Sequence, residues 1–282
     1  MRKPALWLAL APVVFATSVI ALERGANPGV VFEMEVKDLT RANAPVETST
    51  IAVEGPNIKV SLATADGAQE IIFHGDTDEM VMVNHQSKTY TVMDPATLEQ
   101  LAGQMGAAMA KMQEALKNVP ESQRAMMEKM MKERMGAMGG GAPAEPVTMR
   151  NTGERGTQAG YAAVKWEAMR GSRRLRELWV AGWSSIDGAA EARPAFQKMA
   201  EFGKKLMDTM AQSGLPMGNA MDEGMFDMNA LNGFPVLTRE LDEQGKATRE
   251  TRLKSARQQA MAATDFQPPK DYRRQTLGPG RE

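Results

Sequence analysis

From Val30 to Met93, apolar positions recur at every second residue in short runs separated by turn residues. Phe32, Met34 and Val36 alternate with charged neighbours. The same spacing returns at Ile51 and Val53, at Ile58, Val60 and Leu62, at Ile71 and Phe73, at Met80 and Met82, and at Tyr90 and Val92. Successive side chains of a strand point to opposite faces, so period two is the mark of half-buried strands. Gly55-Pro56-Asn57, Asp66-Gly67 and Gly75-Asp76 fall between the runs and supply turn chemistry. The segment predicts an antiparallel meander with one face on a core and the other face wet.

The period then changes. Asp94-Pro95 is a helix start, with a carboxylate to cap free N–H groups and a proline at the first helical position, where it has no bond to lose. Leu98, Leu101, Met105, Met109, Met112 and Leu116 follow at spacings of three and four, one apolar stripe on a helix from Pro95 to about Asn118. Pro120 opens a second helix, on which Met126, Met127, Met130, Met131, Met135 and Met138 form a broad methionine face, and Gly139 to Pro143 stop it. Period two returns in Val147 to Arg155, Tyr161 to Met169 and Arg173 to Trp183, with Gly153, Gly160 and Gly171 at bends or turns. A helix over Ala189 to Ser213 carries Phe196, Met199, Phe202, Leu206 and Met210 on one side, and Met217, Met221, Met225 and Met228 continue a four-residue rhythm. A hairpin follows, Pro235 to Leu241 and Lys246 to Ala256 around Asp242-Glu243-Gln244-Gly245. The order of elements predicts an α+β fold: a curved antiparallel sheet, an incomplete barrel, with methionine-rich helices covering one face. It is read as a single domain over residues 22 to 272 with a disordered polar tail from 273 to 282.

The N-terminus changes the setting. Met1-Arg2-Lys3 precedes an apolar run from Ala5 to Ile20 that ends in Val19-Ile20-Ala21, the layout of a secretory signal peptide cleaved after Ala21. A permanent span needs about 20 apolar residues, and Glu23 and Arg24 interrupt this run too early. No Cys follows, so lipid modification there has no acceptor. The chain of 282 residues has no Cys at all, which removes disulfides, thiolate metal sites and cysteine nucleophiles together, and a disulfide-free exported chain suits a bacterial periplasm. A net charge of −1 gives no general attraction to nucleic acid. Methionine is abundant, 24 residues, and ten of these lie between Met93 and Met138 with seven more between Met199 and Met228, so the excess belongs to the helices.

Several segments together resemble a known family. These are the signal peptide, the meander ending in Lys88-Thr89-Tyr90-Thr91-Val92-Met93-Asp94, the methionine-rich helical insert, Gly153 to Tyr161, and Glu177-Leu178-Trp179-Val180-Ala181. The layout is similar to the uncharacterised bacterial periplasmic family called domain of unknown function 4412, itself similar in fold to lipoprotein carriers of the LolA and LolB type. Phe266-Gln267-Pro268-Pro269-Lys270-Asp271-Tyr272 resembles the closing Phe-x-x-Pro-x-x-Tyr segment of those carriers, with Lys270-Asp271 where a glycine is common. The resemblance covers most of residues 30 to 272. It implies an incomplete barrel closed by helices around an apolar cavity, and it supplies no catalytic residue.

The chemistry is sparse. There is no Gly-x-Ser-x-Gly elbow, no phosphate-cradling glycine loop and no His-Glu-x-x-His, so the reading is non-enzymatic, with no catalytic residue, metal site or cofactor assigned. His74 and His85 are the only imidazoles, and both read as polar turn residues. Trp166, Trp179 and Trp183 read as strand residues packed in the sheet. The basic run Lys246, Arg249, Arg252, Lys254 and Arg257 reads as the solvated face of an edge or outer strand.

The methionines carry the functional reading. An unbranched thioether repacks around apolar surfaces of different shape. Met105, Met109, Met112, Met127, Met130, Met131, Met199, Leu206 and Met210 are therefore the candidate lining of an apolar cavity for a hydrophobic ligand: an acyl chain, a lipid or a lipidated partner. An envelope protein is a possible partner, and membrane contact is only transient, since Glu121, Glu128 and Glu133 dilute the positive charge beside the methionine face. Two alternatives stay open. Met126, Met130 and Met135 set sulfurs one helical turn apart, as soft Cu(I) or Ag(I) binding or oxidant scavenging would need, and the chain could be a structural envelope protein with no small ligand.

Overall fold

A computed structural model describes residues 26–64, 67–117, 145–212 and 231–276. The alternating N-terminal segment forms six strands: β1 (Ala26–Asp38), β2 (Glu47–Glu54), β3 (Asn57–Thr64), β4 (Gly67–His74), β5 (Glu79–Asn84) and β6 (Thr89–Met93). Gly55 adopts a left-handed φ of 52° in the tight turn between β2 and β3, a conformation that costs glycine nothing. Helix α1 (Pro95–Lys117) starts where the capping residue requires, the Thr97 N–H donating to Asp94 Oδ1 at 2.7 Å. That bond holds the Asp94 carboxyl below its ordinary value, since it stabilises the charged form.

The second group of strands is β7 (Val147–Gln158), β8 (Tyr161–Arg170) and β9 (Arg173–Ala181). A 3-10 turn (Trp183–Ser185), helix α2 (Ala189–Gln212), β10 (Phe234–Leu241) and β11 (Ala247–Ala262) follow. The chain closes through a second 3-10 turn (Ala263–Phe266) and a short strand β12 (Arg273–Gln275). All twelve strands form one open, curved sheet in the order β12-β6-β5-β4-β3-β2-β1-β11-β10-β9-β8-β7. It is antiparallel except where β12 lies parallel to β6. The architecture is α+β, mostly sheet with a few helices.

Two meanders, β1 to β6 and β7 to β11, are joined at the β1–β11 seam, where the register runs from Ala26 opposite Ala262 to Asp38 opposite Arg249. This corrects the reading of the basic hairpin arm as an edge or outer strand. β11 is interior to the sheet, and its charges find partners: Lys254 Nζ lies 2.9 Å from Glu33 of β1, and Glu250 bridges Arg239 of β10 at 2.8 Å and Arg252 of its own strand at 3.1 Å. The arm is also longer than its alternation suggests, reaching Ala262.

One face packs against α2. Val30, Phe32, Met34, Val53, Ile58, Phe73 and Met80 meet Phe196, Phe202 and Leu206 of the helix. At the centre four rings interlock. Phe32 stacks on Phe234 with centroids 4.6 Å apart, and Phe196 and Trp183 close the cluster at 5.8–6.1 Å. Trp183 therefore belongs to the 3-10 turn beyond β9 and not to a strand as expected, but it is buried in the core. The opposite face is not left wet over β4 to β6. Ile72, Val81, Val83 and Val92 alternate with the residues of the first face and are buried under Phe266, with Tyr90 and Tyr272 packed alongside. Strand β12 occupies the first residues of the stretch read as a polar tail, its Arg273 N–H donating to Lys88 O at 3.0 Å, and residues 277–282 lie outside the described residues.

A candidate ligand-binding groove at the start of helix α2

Helix α2 begins immediately after Gly188, whose φ of 69° turns the chain from the 3-10 segment onto the sheet. A side chain there would collide with Val30, since a Cβ at Gly188 would lie 2.8 Å from Val30 Cγ2. The helix is thereby drawn close to β1, and its first core-facing residues, Ala189, Ala192 and Phe196, are spaced to share one face. Phe196 fills the aromatic cluster, but Ala192 is too short to fill the space above β1 and β2.

The result is a groove of about 340 Å³, open to solvent, between the first turn of α2 and the strand ends. Pro28, Gly29, Val30, Val53 and Ala192 give it an apolar floor and wall, and Gly55 borders it. Gly29 is dictated by backbone proximity, for a Cβ there would lie 2.5 Å from Val53 O. Gln258 and Glu191 stand at the rim and are exposed. Glu191 lies in the first turn of α2, where a carboxylate is favoured by the helix dipole. The arrangement can take an apolar group into the groove and offers one amide and one carboxylate to a polar end.

Of the sequence-predicted ligand residues, Leu206 is buried in the core on the sheet-facing side of α2, and Met199 is half-buried on the same side, two turns beyond Ala192. Met210 lies further along α2, and Met105, Met109 and Met112 lie on α1, which packs against α2 and β6. Met127, Met130 and Met131 fall outside the described residues, as do Met126 and Met135. The groove lining itself escapes sequence reasoning: its defining residues are glycines and an alanine, and their only signal is the lack of a bulky side chain at the start of an otherwise aromatic helix face.

A second depression, of about 290 Å³, is polar, with Asp38, Arg41, Glu47 and Arg249 among its lining residues. The Asp38 carboxyl is held down at about 2 by the Thr40 hydroxyl, the Arg41 guanidinium and the Thr40 N–H, so its charge is already engaged within the loop. Charged side chains also cluster on β7 to β9, where Glu167 is buried between Arg150 and Arg174. The guanidinium groups, Arg150 first, hold its carboxyl below the ordinary range against the opposing effect of burial. Among the described residues no three His, Asp or Glu side chains are grouped to hold a metal ion, and no helix is long and apolar enough to cross a membrane.

No family model matches the chain, and no curated protein matches it. Among solved structures it is similar to an uncharacterised conserved protein from Thermus thermophilus, at 7% identity and a TM-score of 0.42, over 89% of this chain and 90% of that one. It is similar to the Pseudomonas aeruginosa MucA/MucB complex at 10% identity and a TM-score of 0.32, over 85% of this chain and 55% of that one. Similarity to PNGF-II is at 8% identity and a TM-score of 0.39, over 89% of this chain and 31% of that one. The chain thus spans about half of the second protein's length and under a third of the third's.

Proposed function

We propose that this protein is a non-enzymatic binding protein of the bacterial periplasm, exported by its N-terminal signal, which takes a hydrophobic ligand between its helices and the apolar face of the sheet. The ligand class is an acyl chain, a lipid or the lipid of a lipidated partner. The observation that carries the reading is the groove at the start of α2, whose floor of Val30 and Val53 is continuous with the helix-covered sheet face. A concave, mostly apolar setting with few polar groups is the general form of a small-ligand site. In this reading the methionine-rich helices cover the same face, and their thioethers line the remainder of the site and repack around ligands of different shape. The fold is then of the lipoprotein-carrier type that the sequence resembles.

A fluorescent fatty-acid probe titrated into the purified mature chain tests this, with saturation at one equivalent expected. Gln258→Trp places a ring over the groove mouth from an exposed strand position and weakens binding at least tenfold. Met109→Glu and Met130→Glu introduce charge into the helix lining and abolish it. Mass spectrometry of material extracted from natively purified protein should find a lipid. Absence of binding across fatty acids, phospholipids and lipopeptides refutes the reading.

A further inference from the structure

The strap that covers the back of the sheet, Ala263 to Gln275, is fastened by the only two histidines in the chain. His74, at the end of β4, places Nε2 2.7 Å from the carbonyl oxygen of Phe266 and Nδ1 3.2 Å from the Glu79 carboxylate. His85, after β5, places Nδ1 2.8 Å from the Tyr272 hydroxyl and Nε2 3.5 Å from the Glu70 carboxylate. The two rings grip opposite ends of the strap. The side chain of Phe266, whose carbonyl His74 holds, is buried at 1% exposure against Ile72, Val81 and Val83.

The geometry at His74 is specific about protons. A carbonyl and a carboxylate only accept, whereas a neutral imidazole carries a single N–H and satisfies one of the two. The doubly protonated ring donates to both at once. At His85 the tyrosine hydroxyl can accept or donate, so a neutral ring with its N–H on Nε2 already serves both the strap and the carboxylate, and this contact holds in either state. We propose that the strap is a pH-responsive clasp: proton uptake by His74 tightens it on the back of the sheet, and proton loss loosens it, while His85 holds the far end throughout.

The surrounding charges leave this logic intact. Glu79 of β5 and Glu70 of β4 face the rings, and Ser61 of β3 donates a hydrogen bond to Glu70 at 3.2 Å. In the turn after His74, Asp76 and Asp78 are taken up by Lys198 and Lys205 of α2. On the strap itself, Asp265 accepts from the Ala262 N–H, and Asp271 faces Lys88. Opening would uncover the apolar strip of Ile72, Val81, Val83 and Val92, so the clasp sets how much apolar surface the back of the sheet presents.

Amide hydrogen exchange at Arg273, whose N–H donates to Lys88 O, reads strap opening directly in the full chain. After correction for intrinsic exchange, protection is expected to be about tenfold greater at pH 5.5 than at pH 8, the factor one charge-assisted hydrogen bond carries. The ratio should fall to about one in the H74Q/H85Q double variant. The amide of Val180, in the β8–β9 pairing far from the strap, is the reference and should not change. If the double variant also loses protection at Val180, Glu79→Gln decides: it keeps both histidines and removes the carboxylate that only a donating Nδ1 satisfies, so the ratio should fall below about threefold. A wild-type ratio near one overturns the proposal. So does an undiminished ratio in a folded double variant or in the Glu79 variant.

Discussion

Phe32 is where the two meanders and helix α2 meet, and its replacement by alanine measures what holds them together. The side chain has no exposed surface, stacks on Phe234 at 4.6 Å and 15°, and receives the edge of Phe196 at 6.1 Å. Truncating a buried phenylalanine costs about 3–5 kcal/mol through lost burial and the cavity left behind. This site belongs at the upper end of that range. The cavity would be walled by Phe196, Phe234 and Trp183, and rigid rings seated on a sheet collapse poorly into a void. A loss of about 4–5 kcal/mol is a large part of the ~5–15 kcal/mol that stabilises a typical domain, and it corresponds to a fall in Tm of roughly 10–15 °C. Urea unfolding followed by tryptophan fluorescence is the assay, because Trp183 lies within the cluster and reports its loss. A Phe32→Leu, Phe234→Leu double-mutant cycle should give a coupling of about 1 kcal/mol, the share due to the stacked pair. A loss below ~2 kcal/mol for Phe32→Ala, or no coupling in the cycle, would refute the view that these rings form the joint between sheet and helix.

Three further outcomes follow from the same structure. Asp94→Ala removes the α1 cap and should cost about 1 kcal/mol in urea unfolding at pH 7. Glu167 is held below its ordinary pKa in the folded chain, so the folded state binds fewer protons than the unfolded one; its contribution is full above the usual carboxylate value and is lost as pH falls through the depressed one. Arg150→Met should therefore flatten the acid side of the stability profile, and an unchanged acid slope would show that the pairing does not matter. Gly29→Ala forces a methyl to 2.5 Å from Val53 O, and should destabilise by about 1–3 kcal/mol while narrowing the groove, which equilibrium unfolding and probe binding measure separately.

Where the physics is local, the sequence displays the fold. The alternation at Phe32, Met34 and Val36, the cap at Asp94 and the stripe from Phe196 to Leu206 each became the expected element, because each is decided by neighbours within a few residues. The interior place of β11 is set by pairing with β1 more than 200 residues earlier, and nothing in the alternating Arg and Lys of that arm distinguishes an outer strand from an inner one with a charged face. The two-sided burial of β4 to β6 was legible in part. Ile71-Ile72-Phe73 and Val81-Met82-Val83 are unbroken apolar runs, a pattern of strands covered on both faces. What covers the second face is a phenylalanine in a polar tail, and its partners could not be named from spacing. The histidines looked like turn residues for the same reason: their bonds reach residues 192 and 187 positions away.

The seam between β1 and β11 also governs the order in which this chain can be completed. The first meander is built from neighbouring hairpins, so its pairings close short loops and form quickly, whereas in the second β9 and β10 pair across the segment that carries α2. The seam cannot form until Ala262 is present, and the strap comes later still. A chain emerging from its N-terminus must therefore carry β1 with one edge unpaired, and the back face of the first meander uncovered, for almost the whole of its synthesis. β6 and β7 stand near opposite edges of the sheet, and the chain between them is where it divides into its two halves. Cleaved there, the halves should rejoin through thirteen paired positions of β1 with β11, making the longest-range strand pairing among the described residues also the natural point of reassembly.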